Sequence, residues 1–137
     1  MKPDSMALLV MSPERRRSLL SELELLHIEV LAVTCCQEAR RVLETHPPIE
    51  IVITDLSLAD GNWCDIFKYL VDNDIHASVV VSCPLADERL WSEVLWRGAY
   101  DMLVEPYNKQ ELRRIVEGAL RAAHHFNGSG VAASAAI

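Results

Sequence analysis

The chain has 137 residues, is half hydrophobic and carries a formal net charge of −7. That size suits one domain with a real core, and the apolar share excludes a disordered chain. The acidic balance argues against a nucleic-acid surface, and no apolar run approaches the length of a membrane span. The opening stretch MKPDSMALLVMS lacks a cleavable-signal pattern, so a cytoplasmic location is expected. The Arg15-Arg16-Arg17 triplet is the local exception to the acidic balance, and it is expected on a solvated helix face.

Apolar runs and helix-like segments alternate along the chain. The first strand is expected over Met6–Met11. Ser12 follows as a candidate N-cap, with Pro13 where a first helical turn accepts proline. The helix there has Leu19, Leu20, Leu23 and Leu26 at helical spacing. A second strand is predicted over 28–33 and a second helix over Gln37–His46, stopped by Pro47-Pro48. The β-branched run from Ile49 to Thr54 reads as a strand buried on both faces, ending on Asp55 before a polar turn at Ala59-Asp60-Gly61-Asn62. A third helix is expected over Trp63–Asn73, a fourth strand over Ser78–Cys83, and a fourth helix over Asp87–Trp96, ending near Gly98. The last strand spans Tyr100–Val104. The last helix spans Lys109–His125, with Asn108 as cap and Glu111 at capping-box distance. The Gly/Ser-rich stretch 127–137 is expected to be a flexible tail or linker, leaving one domain over 5–126.

This alternation implies right-handed βαβ units and a doubly wound α/β fold with a parallel sheet. In such sheets ligand chemistry gathers at the carboxyl ends of the strands. Ser12, Asp55, Ser82 and Glu105 all fall there. The cysteines point elsewhere: Cys35 and Cys36 are adjacent, Cys64 and Cys83 stand apart, and no C-x-x-C occurs. That spacing suits neither a zinc site nor a disulfide framework.

On these segments the chain resembles the receiver domain of two-component response regulators, the CheY-like fold. TDLSLADGNWCDIF is similar to the family's phosphoacceptor segment, VVVSC to its fourth-strand segment, and RGAYDMLVEPY to the segment that closes on a Lys-Pro pair. The resemblance covers Met6 to about Phe126. It implies a flavodoxin-like (βα)5 sheet of order 2-1-3-4-5, a signalling role without enzymatic activity, and Asp55 as the acceptor of a phosphoryl group from a kinase histidine. It also implies Ser82 as the switch hydroxyl, Met102 at the aromatic switch position, and Mg²⁺ as the ion that assists transfer.

Several positions depart from the family's pattern. The acidic pair expected after the first strand falls on Met11 and Ser12, and the Lys position is Glu105. A thioether is a poor ligand for Mg²⁺, leaving Asp55 and the Ser57 carbonyl, with Glu14 within reach of the loop. Mg²⁺ binding is therefore expected to be weak. A second carboxylate about 5 Å from Asp55 would oppose it by about 3 kcal/mol at an effective dielectric near 20. The resulting expectation is a phosphorelay receiver that accepts phosphate poorly on Asp55 or works as a phosphorylation-independent interaction module. Its partners would be a sensor kinase or another signalling protein, or a second copy through the face of helix four, strand five and helix five. Trp96, Tyr100 and Arg113, with Arg97 and Arg114, are the interface candidates on that face, while Trp91 is expected in the core. Neither membrane nor nucleic-acid binding is expected of this chain. An aspartate-nucleophile phosphatase is the weighed alternative. It would need an acid at position 57, where Ser57 stands. His124-His125 suits a helix C-terminus better than a metal site.

Overall fold

The computed structural model describes residues 5–45, 47–84 and 87–129, with side chains described as far as residue 123. Strands β1 (Ser5–Val10), β2 (Ile28–Val33), β3 (Ile51–Asp55), β6 (Ser78–Cys83) and β7 (Asp101–Val104) form one parallel sheet, with β3 and β6 buried along their whole length. Its order, β2-β1-β3-β6-β7, is the expected 2-1-3-4-5 once a short hairpin is set aside. That hairpin, β4 (Ser57–Leu58) with β5 (Gly61–Asn62), forms from the polar stretch expected as a turn.

The helices cover both faces of the sheet. Helices α1 (Pro13–Leu25) and α5 (Lys109–Ser129) close one side over Ala7, Leu9, Ile51, Ile53 and Val80. Helices α2 (Cys36–Glu44), α3 (Trp63–Asp72) and α4 (Glu88–Trp96) close the other over Leu8, Val10, Val52, Val79 and Val81. This alternation along each strand is what a sheet covered on both faces requires. Helix α5 continues past the boundary expected at Phe126, and the remainder of the expected tail, 130–137, lies outside the described residues. So do the side chains of His124 and His125.

Local chemistry sets most helix starts. Asn62 and Asp65 form a reciprocal capping box at α3, Asp87 accepts from Arg89 and Leu90 at α4, and Asn108 accepts from Gln110 and Glu111 at α5. Glu111 itself is not part of a box, because its carboxylate pairs with Arg114. Ser12 occupies the N-cap position of α1 but makes no side-chain cap bond. The start of α2 is capped across the fold: Asp60, in the hairpin turn, accepts from the backbone N–H groups of Cys36 (2.8 Å) and Gln37 (3.0 Å).

Candidate functional site

Parallel register brings the ends of three strands level. Asp55 lies opposite Ser82, Ser82 opposite Leu103, and Cys83 opposite Val104, so Glu105 emerges beside the same edge. Its backbone N–H donates to the Cys83 carbonyl at 3.0 Å. Asp55, Ser82 and Glu105 therefore meet at the carboxyl end of the sheet, as their sequence positions imply. Met11 does not join them. Its side chain is fully buried in the apolar cluster under α1 and α5, where a thioether packs and a carboxylate would be unsolvated. Ser12 sits beside Asp55, and its backbone N–H acts to lower the carboxyl, the least of the influences on it.

The cation of the pocket is Arg15, from the first turn of α1. Its Nε donates to Asp55 Oδ1 at 2.7 Å, and its Nη2 pairs with Glu105 Oε1 at 2.6 Å. The same Nη2 donates to Ser82 Oγ at 3.3 Å. The triplet expected on a solvated face is thus divided. Arg17 is exposed, whereas the Arg15 side chain keeps only 26% exposure and turns into the site. A helix advances about 100° per residue, so neighbouring arginines cannot share one direction. The expected repulsion between Asp55 and Glu105 is likewise answered, because one guanidinium lies between the two carboxylates.

Tyr107 completes the cluster. Its hydroxyl lies 2.6 Å from Ser82 Oγ and 3.5 Å from Glu105 Oε1. Burial, against the Ser82 bond and with the help of the Glu105 charge, pushes the phenol up to about 12, so it is neutral and can donate. Burial also pushes the Asp55 carboxyl above its ordinary value, against the hydrogen bond and charge of Arg15. Arg15 sits above its own ordinary value: burial lowers it, but the Asp55 bond and charge and then the Glu105 charge outweigh that.

This donor set does not suit Mg²⁺. The ion wants several hard oxygens in octahedral array. Here Asp55 and Glu105 share a cation of the chain's own and Met11 offers sulfur inside the core, so the exposed Ser57 of β4 has no free carboxylate to join it. No group of three or more His, Cys, Asp or Glu side chains suited to a metal occurs among the described residues.

Solved structures share this architecture nearly end to end. The signal receiver domain of a Vibrio parahaemolyticus protein aligns with a TM-score of 0.79 at 23% identity, over 93% of this chain and 96% of its own. The chain has the receiver-domain fold. A response regulator receiver domain protein of Clostridium thermocellum gives a TM-score of 0.73 at 21% identity over 85% of this chain and 94% of its own. The beryllofluoride-activated NtrC4 receiver domain dimer gives 0.77 at 18% identity over 90% and 99%. In sequence, the response regulator protein PilR of Pseudomonas aeruginosa is 27% identical over 109 residues, which is 80% of this chain. The chain spans about a quarter of that relative's length, 24%. No family model matches the chain.

Within the receiver fold the remaining expected residues divide between two surfaces. Tyr100 lies across α5 at Gly118, where a Cβ would meet its hydroxyl, and Trp96 stands 90% exposed on α4. Arg113 is not with them. It pairs with the buried Glu22 of α1 at 3.4 Å, and Lys109 approaches the same carboxylate at 3.7 Å, so it joins α5 to α1. Arg114 is the α5 arginine on the Tyr100 and Asp101 side. Trp91 is not a core residue: it is 45% exposed and its indole N–H donates to Asp101. Met102, at the aromatic switch position, is buried under α4. Sequence reasoning missed Arg15 and Tyr107. The available signal was their place, one in the first turn after β1 and the other just after Glu105-Pro106, both at the strand-end edge that gathers chemistry.

Proposed function

We propose that this chain is the receiver module of a two-component signalling protein whose contacts with partners do not depend on phosphate at Asp55. The observation that carries this reading is the Arg15 bridge. The acceptor carboxylate already has a full positive charge at 2.7 Å, supplied by its own chain. An incoming phosphoryl donor would have to displace that guanidinium without the acidic pair or a lysine to assist it, and against the Glu105 charge. Charge stabilisation of the transferred group is the main work of such a site, so its loss costs rate directly.

The partner surface that suits this reading is the face of α4, β7 and α5. Trp91, Met102 and Val104 form the apolar floor of a groove of about 420 Å³ there, rimmed by Asp87 and Glu88. Trp96, 90% exposed on α4, and the partly exposed Tyr100, just before β7, add aromatic area on the neighbouring elements. Exposed tryptophan, tyrosine and arginine are the residue types that anchor interfaces. One structural relative is itself a receiver domain dimer, which favours a second copy of the chain as the occupant over a sensor kinase or another signalling protein. Cytoplasmic work accords with this role, and no described helix is long and apolar enough to cross a membrane.

The test is acceptor chemistry. Incubation with acetyl phosphate and Mg²⁺, read by intact mass, should give no adduct, and beryllofluoride should leave the amide spectrum unchanged. Stoichiometric labelling that disappears in Asp55→Asn would overturn the phosphate-independent reading.

A further inference from the structure

The side chains around Asp55 close into a ring that fixes more than the acceptor. Arg15 Nη2 donates to Ser82 Oγ, Ser82 lies 2.6 Å from the Tyr107 hydroxyl, Tyr107 lies 3.5 Å from Glu105 Oε1, and Glu105 pairs back to Arg15 Nη2. One proton arrangement satisfies every member. Arg15 donates twice, Ser82 accepts from Arg15 and donates to Tyr107, and Tyr107 donates to Glu105. Each hydroxyl then gives one hydrogen bond and receives one, the condition under which such rings reinforce themselves in a half-buried setting. The ring spans α1, the end of β6 and the loop between β7 and α5.

We infer that this ring is a latch: Arg15 holds the Ser82 hydroxyl and the β7–α5 loop in one arrangement, as a bound phosphoryl group would otherwise have to do. This rests on the phosphate-independent reading above and gives its physical means. Guanidinium and phosphoryl group have opposite charge, yet both can engage the Ser82 oxygen, since a hydroxyl accepts from the one and donates to the other. Glu105, an obstacle to phosphate, becomes the counter-charge that seats Arg15. The latch reaches the partner face through β7. Val104 precedes Glu105 directly and lines the groove beside Met102 and Trp91. An intact ring therefore holds the end of β7, and with it the groove floor, in a standing form.

Tyr107→Phe tests this by removing one oxygen and keeping the ring's bulk, and Arg15→Met tests it from the other end. Amide hydrogen exchange and 1H–15N spectra of the full chain are compared with wild type. The latch requires both variants to shift the same amides over residues 102–108 and the first turn of α4. It also requires exchange over that segment to rise about five-fold in Tyr107→Phe, which loses both the Ser82 and the Glu105 bond of the hydroxyl. Changes confined to Asp55, Ser82 and their immediate neighbours, with 102–108 unaltered, would overturn it. Should Arg15→Met fail to fold, Tyr107→Phe decides alone. The two readings fail separately: wild-type phosphorylation defeats phosphate independence, whereas a silent Tyr107→Phe defeats the latch.

Discussion

At the scale of single residues, the pocket is a problem of charge balance. Asp55 and Glu105 keep 13% and 30% side-chain exposure, so neither is fully screened by water, and Arg15 is the cation between them. Removing one partner of such a set leaves charges desolvated without compensation. Arg15→Met should therefore cost roughly 2 kcal/mol of stability at neutral pH. The sign of its pH dependence follows from Asp55. A carboxyl raised above its ordinary value favours the fold below that value and costs stability as pH rises through its folded value. Without Arg15 the largest opposition to burial at Asp55 is gone, so the deficit of the variant should grow between pH 4 and pH 7. Thermal unfolding of both proteins at the two pH values measures it, and an equal deficit at both would count against the charge account.

Reviving the acceptor requires attention to the same balance. Glu105→Lys alone places a second cation against Arg15 while Arg15 still holds Asp55. Labelling by acetyl phosphate should rise little in Glu105→Lys, and clearly more in Ser12→Asp, Glu105→Lys with Arg15→Gln. Each ~1.4 kcal/mol of relieved opposition is worth about tenfold in rate. Met11→Asp is the least useful part of such a design, because that side chain is fully buried among apolar neighbours.

At the scale of elements, two junctions secure opposite ends of the sheet, Asp60 at the carboxyl end of the strands and Gly98 at the amino end. Asp60 caps α2 from the hairpin turn, and its carboxyl is held below the ordinary range by the Cys36 and Gln37 backbone bonds. A depressed carboxyl contributes stability above its ordinary value and loses it as pH falls through the folded value. Asp60→Ala should lower the unfolding midpoint at neutral pH, and the gap from wild type should close in acid; a gap independent of pH would assign the cap another cause. Gly98, where the chain leaves α4, has φ +118°, and a Cβ there would meet the Phe67 ring. Gly98→Ala combines that clash with backbone strain and should cost about 1 kcal/mol or more, measurable by urea denaturation.

For the molecule as a whole, the two sides of α5 have different tasks. The side bearing Lys109 and Arg113 is tied to Glu22 and serves cohesion, while the side bearing Gly118 and Arg114 faces Tyr100 and β7. An interface on α4, β7 and α5 should therefore lose affinity with Trp96→Ala, by about 2 kcal/mol if the indole is an anchor. Arg113→Ala should instead act on stability and leave association unchanged. Sedimentation at tens of micromolar, alongside unfolding curves, separates the two. Equal effects of Trp96→Ala and Arg113→Ala on association would contradict this division.

Much of this protein was decided locally and is legible in one dimension. Apolar runs such as Val79–Val81, the Asn108 cap and the place of Asp55, Ser82 and Glu105 at strand ends follow from periodicity and turn chemistry alone. So does the parallel alternating order, because short connections leave few ways to wind such a chain. What the chain does with the pocket was decided only on folding. Arg15 and Asp55 are separated by 40 positions and Arg15 and Ser82 by 67, and no local pattern distinguishes Arg15 from Arg16 and Arg17 beside it. Only the orientation of α1 over the sheet selects which of the three arginines meets the carboxylates. The same holds for Arg113 and Arg114, adjacent in sequence, where helix phase sends one to Glu22 and the other toward Asp101.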